Sequence, residues 1–328
     1  MSQRPAIGHI GVFTSGGDSP GMNAALRAVA RAAAHHGIRC TGIVSGYDGM
    51  INDRTVPLGP RDVSNIIQRG GTMLRSARSE AFRTAEGRAQ AAAMLHRHGI
   101  DALVAIGGDG TFTGARLLFQ EHGTRIIGLP GTIDNDLSGT DRTIGFDTAV
   151  NTAVEAIDKL RDTAASHDRL FFVEVMGRDS GFIALACAIA AGAEYVMLPE
   201  VRQRIDELVS ALSVAQQSKT SSIVVVAEGD EEGGALAIAH KVKERLPHYD
   251  MRVTVLGHLQ RGGSPTVLDR VLASRLGAAA VGHLLQGAHD AMLGEVCGEL
   301  VLTAFSEAIG KRKELPADML ALLPVLAS

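Results

Sequence analysis

Two aspartates, Asp134 and Asp136, stand two residues apart in the segment PGTIDND at 130–136. In an extended segment their side chains point the same way, and in a turn they diverge. Such a pair suits a division of labour: one carboxylate takes a proton from a hydroxyl while another acidic group supports a divalent cation. Like charge and a cation move the two proton affinities in opposite directions. The competing reading is an Asx-rich surface turn, and Pro130, Gly131 and Thr132 make the segment tight enough to favour chemistry.

Two further loops place an aspartate behind a glycine pair after an apolar run: TSGGDSPGMN at 14–23 and AIGGDGT at 105–111. In the first, Gly16 and Gly17 allow a tight turn, Pro20 suits a helix start, and the helix that follows points N–H groups at an anion. In the second, Asp109 either holds a magnesium ion against phosphates or caps a helix. Neither loop is a GxxxxGK[ST] or a GxGxxG, so the usual phosphate-binding lysine is missing. RGGTMLRSARSEAF, from residue 69, offers substitutes in Arg69, Arg75, Arg78 and Arg83. FFVEVMGRDSGF puts Met176, Gly177 and Arg178 at a strand end, where Arg178 is a surface charge or, beside Asp134, an orienting group. RVTVLGHLQRGGSP gathers Arg252, His258 and Arg261, and a guanidinium fork matches phosphate oxygens. Two phosphate-type sites, one nucleotide-like and one substrate-like, point to phosphoryl transfer onto a phosphorylated acceptor.

The elements that must position these residues follow from pattern. The chain has 328 residues, 45% apolar and 21% charged, with a formal charge of −4, so two domains fit its length and nothing pulls it strongly to nucleic acid. No run approaches the roughly 20 apolar residues of a membrane span. Three separated cysteines argue against a disulfide framework, and a cytoplasmic location is expected. Short apolar runs ending in glycine turns alternate with alanine-rich helical patterns, the signature of parallel sheets covered by helices. Strands are expected near 6–13, 39–44, 101–106, 125–129, 170–176, 193–198, 221–227 and 252–257. Helices are expected near 22–35, 62–68, 85–98, 113–120, 146–161, 181–190, 204–217, 235–246 and 269–285. Ligands of such sheets bind beyond the carboxyl ends of the strands, where the loops at 14–21, 107–111, 130–136, 176–180 and 228–232 fall.

In this order and spacing, TSGGDSPGMNAA, GGTMLRSAR, GGDGT, PGTIDND, IGFDTA, VEVMGR and VLGHLQRGGSP closely resemble the 6-phosphofructokinase family of the bacterial ATP-dependent type. The likeness runs from about residue 6 to 290. It implies an α/β protein of two Rossmann-like three-layer domains with mostly parallel sheets and the active site in the cleft between them. A nucleotide-binding domain over 1–145 would be completed by 260–311, and a sugar-phosphate-binding domain over 146–259 by 312–328. The implied reaction passes the ATP γ-phosphoryl group to the 1-hydroxyl of fructose 6-phosphate. Asp134 resembles the base, with Thr132, Arg178 and the Gly17 amide beside the transferring group; Asp109 resembles the magnesium carboxylate, supported by Asp136. Tyr47, Arg78, Ser79, Gly108, Gly110, Thr111 and Gly114 resemble the rest of the nucleotide site. Met176, Gly177, Glu228, His258 and Arg261 resemble the sugar-phosphate site, completed by Arg169 and Arg252 of a neighbouring subunit in a homotetramer. Glycine at 110 and 131, where pyrophosphate-using members tend to carry aspartate and lysine, leaves room for a nucleotide and favours ATP. Ser79 stands where an aromatic is common and Arg75 where glycine is usual. Arg27, Arg31, Arg161 and Lys219 resemble part of an effector site, but Pro60 replaces an expected arginine, so a weakened or altered response to ADP and phosphoenolpyruvate is expected. A pyrophosphate-dependent enzyme, a kinase of another ketose phosphate and a noncatalytic sensor are the alternatives.

Overall fold

The computed structural model describes residues 7–165, 169–215 and 222–326. In chain order its elements are β1 (His9–Thr14), α1 (Met22–His35), β2 (Arg39–Ile43), α2 (Gly46–Ile51), β3 (Thr55–Pro57), α3 (Ala85–Arg97), β4 (Ala102–Gly107), α4 (Asp109–His122), β5 (Arg125–Thr132) and β6 (Ile144–Gly145). Then come α5 (Phe146–Ala165), β7 (Arg169–Val175), α6 (Phe182–Ala191), β8 (Tyr195–Met197), α7 (Ile205–Ala215), β9 (Ser222–Ala227), α8 (Ala235–Arg245) and β10 (Asp250–Val255). The last are α9 (Val267–Leu285), β11 (Ala291–Val296), β12 (Glu299–Ala304), α10 (Phe305–Ala308) and α11 (Ala317–Leu326), with 3₁₀ turns at Ala81–Arg83 and Gly257–Arg261.

The chain divides into two compact units. Unit 1 comprises Met1–Thr132, Leu137–Asp147 and Arg261–Arg312; unit 2 comprises Ile133–Asp136, Thr148–Gln260 and Lys313–Ser328. Unit 1 holds a sheet in the order β12-β11-β5-β4-β1-β2-β3, with β6 beside β5. Its pairs are parallel except β2–β3 and β11–β12. The period-2 alternation of the strands sorts their side chains to opposite faces: Ile10, Val12, Val104 and Ile106 pack with residues of α1 and α9. Phe13, Leu103 and Ala105 pack with residues of α3 and α4. Burial on both faces explains why β1 and β4 are apolar throughout. Alanine-rich α1 lets α9 come close, since a Cβ on Gly277 would lie 2.7 Å from the Ala28 Cβ.

Unit 2 holds a parallel sheet ordered β10-β7-β9-β8. Leu170, Phe172, Val224 and Val226 bury one of its faces against Leu208 and Leu212 of α7 and Ile238 and Val242 of α8. Each fully buried side chain of this size contributes about 1.5–3 kcal/mol relative to exposure.

The helix expected near 62–68 does not form; the segment is a run of turns. The Asp62 carboxylate accepts from the Gly59 N–H at 2.7 Å, the Ser64 hydroxyl donates to the Arg61 carbonyl at 2.7 Å, and Asn65 sits at φ 56°. These local bonds offer the backbone an alternative to the helix ladder. Strands β3, β6, β11 and β12 and helices α2, α10 and α11 lie outside the elements expected from the sequence.

Candidate active site

In unit 1 the loops after β1, β4 and β5 emerge side by side because those strands are neighbours. The Ser15 N–H donates to the Ile106 carbonyl at 3.0 Å, and Gly107 is sterically required, since a Cβ there would meet the Ser15 carbonyl at 2.5 Å. Helix α1 starts after Gly21, at φ 105°, with no side-chain cap and no acidic residue in its first turn, which leaves the positive end of its dipole for an anion. Over Gly17 lies the Arg261 guanidinium: a Cβ at Gly17 would be 2.1 Å from its Nη1, which donates to the Asp18 carbonyl at 3.2 Å. Arg261 is thus held at the glycine loop of unit 1.

The arginine-bearing segment after residue 69 is pinned to the same loop. Thr14 Oγ1 lies 2.9 Å from Thr72 Oγ1 and donates to the Arg75 carbonyl at 2.9 Å, while Ser76 Oγ donates to the Gly16 carbonyl at 2.6 Å. Arg69, Arg75 and Arg78 are exposed; exposed Arg83 pairs with Glu80 at 3.5 Å. Ser79 uses its hydroxyl to accept from the Phe82 N–H at 3.3 Å, which places it in the turn that presents Phe82.

Tyr47 is buried. Its ring stacks on Phe82 with centroids 3.9 Å apart, and its hydroxyl donates to the Thr111 carbonyl at 2.5 Å. Burial pushes its phenol well above the ordinary range, so it acts as a neutral donor supporting the first turn of α4. Gly114 gives this stack its space, because a Cβ there would sit 2.9 Å from the Tyr47 ring and 3.0 Å from Phe82. Asp109 is the exposed first residue of α4, after Gly108. Gly110 faces open space, with nothing within 4 Å of a Cβ. Gly131 does not: its Cβ would meet Ile106 at 2.8 Å and Met22 at 3.2 Å. The expectation of room at both glycines is corrected accordingly, since core side chains fill the space beside Gly131. Thr132 closes β5 and lies against Gly108, whose Cβ would be 3.6 Å from the Thr132 Cβ.

In unit 2, Asp134 and Asn135 are buried and Asp136 is half-buried. Asn135 has φ 53°, so the segment is a turn and the extended alternative is excluded. Ser180 Oγ anchors it by donating to the Asp134 carbonyl at 2.9 Å. After β7, Gly177 (φ 146°) and Arg178 (φ 53°) form a turn whose two N–H groups donate to Glu228 Oε1 at 3.3 and 2.7 Å. Gly229 permits it, for a Cβ would fall 1.9 Å from the Arg178 carbonyl. Met176 is buried, and its N–H donates to Gln260 Oε1 at 2.8 Å, while Gln260 Nε2 donates to the Ala149 carbonyl at 3.4 Å. Exposed His258 lies on the same 3₁₀ turn as Gln260.

Arg169 and Arg252 are brought together at the opposite end of β7 by Asp250, which pairs with Arg169 at 2.8 Å and Arg252 at 2.5 Å. The Arg169 hydrogen bond, reinforced by both positive charges, holds the Asp250 carboxyl below its usual range. Of the effector candidates, Arg161 donates to the carbonyls of Ala191 and Gly192, at 2.6 and 2.9 Å, closing the C-terminus of α6. Arg27 and Arg31 lie on α1, the first half-buried and the second exposed; Lys219 falls outside the described residues.

Residue reasoning missed two buried amides, Asn23 and Gln260. Each is a polar residue in or beside a motif otherwise explained by its glycines and charges, and that displaced polarity was the available signal.

The family model described as Phosphofructokinase matches residues 9–284. The chain is 60% identical over 319 residues to a protein of Thermus thermophilus named ATP-dependent 6-phosphofructokinase 1, covering 97% of this chain and 99% of that protein. It is 54% identical to ATP-dependent 6-phosphofructokinase 2 of Bacteroides thetaiotaomicron, covering 97% and 98%. Among solved structures it is similar to phosphofructokinase from Saccharomyces cerevisiae, with a TM-score of 0.86 and 37% identity over 92% of this chain, and it spans 45% of that chain.

Proposed function

Because the chain belongs to the phosphofructokinase family, we propose that it transfers the γ-phosphoryl group of ATP to the 1-hydroxyl of fructose 6-phosphate, giving fructose 1,6-bisphosphate and ADP. The observation that carries this reading is the continuity of β5 with the two chemistries: Thr132 lies against Gly108 of the glycine and aspartate loop, and the buried acid Asp134 follows two residues on.

Phosphoryl transfer needs mainly positioning and neutralised charge. In unit 1 the glycine loop and the uncapped start of α1 receive the donor phosphates, Arg78 stands in for the missing lysine, and open space at Gly110 admits the nucleotide. Asp134 accepts the proton of the attacking hydroxyl, and Arg178 offsets charge developing on the transferring group. Met176, Glu228 and His258 orient the sugar. Arg261 is assigned to its phosphate by the family resemblance.

Asp109 fits a magnesium ion. The described residues contain no group of three or more His, Cys, Asp or Glu side chains that could form a cage, and magnesium bound to phosphates needs only one or two protein carboxylates. Asp109, exposed at a helix start beside open Gly110, is that kind of ligand; Asp136 is named as its support by the resemblance alone. When bound, the ion neutralises charge on the β- and γ-phosphates.

The family's tetramer also fits. Seven-residue β7 separates Arg169 from Met176 by about 23 Å at roughly 3.3 Å per residue, which exceeds the reach of an arginine. This supports the reading in which Arg169, with Arg252 beside it on Asp250, serves the sugar phosphate of a neighbouring subunit. A coupled assay with fructose 6-phosphate and either ATP or pyrophosphate tests the reading: ATP turnover is expected, and equal turnover with pyrophosphate overturns the choice of donor.

A further inference from the structure

We infer that Asn23, on the second residue of α1, is a positioning residue for the nucleotide phosphates, acting through the arginine-bearing segment 69–79. The inference rests on the donor-site reading above.

The Asn23 side chain is 3% exposed. Its Nδ2 donates to the carbonyls of Arg69 and Gly70, both at 3.1 Å, and its Oδ1 accepts from the Met73 N–H at 2.8 Å. Both amide hydrogens and the carbonyl are used, all on one short stretch of backbone. No other natural side chain of this length offers two donors and one acceptor, so the contact specifies asparagine.

Its position gives the contact a function. Asn23 lies two residues after the glycine loop at 15–21, and the stretch it grips leads into Arg75 and Arg78. The other bonds between these loops come from Thr14 and Ser76 and reach Thr72, Arg75 and Gly16; Asn23 holds the backbone of Arg69, Gly70 and Met73. On the far side that stretch meets backbone, since a Cβ on Gly70 would lie 2.2 Å from the Gly263 carbonyl. The segment is thus held on both sides, and the arginines start from a fixed base. Exposed arginines carry a large rotamer entropy, and a rigid backbone reduces what remains to be ordered when phosphate arrives.

The test is a double-mutant cycle between Asn23→Ala and Arg78→Ala, with KM for ATP, KM for fructose 6-phosphate, kcat and thermal midpoint measured for each protein. Asn23→Ala is expected to raise KM for ATP about 10-fold, a modest share of three buried hydrogen bonds at roughly 1 kcal/mol each. KM for fructose 6-phosphate and kcat are expected to stay within about twofold. In the Arg78→Ala background the same change is expected to alter KM for ATP by less than about twofold. Asn23→Ser, which keeps a hydroxyl and buries no charge, supplies a milder variant expected to change KM for ATP in the same direction by a smaller factor. A lowered thermal midpoint with unchanged KM for ATP overturns the inference, as does an undiminished effect without Arg78. ATP binding without sugar, measured by equilibrium dialysis, separates the two levels: weaker binding by the variant with no turnover in the parent leaves the inference standing and removes the assigned reaction.

Discussion

Replacing Glu228 with alanine removes the acceptor that holds the turn after β7, together with the contact to the sugar proposed above. Arg178 is a non-glycine residue at φ 53°, a conformation costing about 1–2 kcal/mol. Glu228 Oε1 offsets that by accepting the N–H groups of Gly177 and Arg178, and a hydrogen bond to a charged group contributes about 1.5–3 kcal/mol. With the carboxylate the turn is favoured; without it the strain stands alone, and about 1.4 kcal/mol leaves roughly one molecule in ten with Arg178 correctly placed. kcat/KM for fructose 6-phosphate is therefore expected to fall about 10-fold or more in Glu228→Ala. Glu228→Gln, which keeps an acceptor oxygen, is expected to lose no more than about threefold. The assay is initial rate against fructose 6-phosphate at saturating ATP. A Glu228→Ala enzyme within twofold of the parent refutes the reasoning, and equal damage from the two substitutions assigns the effect to charge.

Asp134→Ala is expected to lower kcat by on the order of 10²-fold or more with both KM values nearly unchanged, as for loss of a general base; a near-normal kcat removes its assigned role. Gly114→Ala forces a methyl against the Tyr47 and Phe82 rings, which is expected to cost about 1–3 kcal/mol and to appear as a lower midpoint in thermal unfolding. The Cys40 and Cys187 thiols are buried and pushed up to about 12, so at pH 8 a thiolate-specific reagent should label only exposed Cys297 and reach all three cysteines in denaturant. Rapid native labelling of a second thiol contradicts that burial.

The apolar runs of β1, β4, β5, β7 and β9 and the glycines behind them were legible because two-sided burial demands a continuous apolar strand. The hairpin of β11 and β12 was not. Its turn residues, Cys297 and Gly298, both have positive φ, and cysteine is an unusual occupant of a position that asparagine or aspartate normally marks. β12 is also only partly buried, so its pattern is weak. At the site, residue types announced phosphate and proton chemistry, but the left-handed turn at Asn135 decided how Asp134 and Asp136 are presented. That conformation depends on surroundings such as Ser180, which no local pattern encodes. Gly131 makes the same point from the other side, because a missing side chain looks identical in sequence whether ligand or core occupies its place.

The packing of α1 against α9 has a consequence for the birth of the molecule. Leu26 and Val29 share a core with Leu276 and Leu284, residues made about 250 positions later. At roughly 5–20 residues per second of synthesis, the apolar stripe of α1 waits about 10–50 s for its partner. Unit 1 cannot complete this core until α9 has emerged, so the apolar stripe of α1 stays open to misassembly throughout that interval.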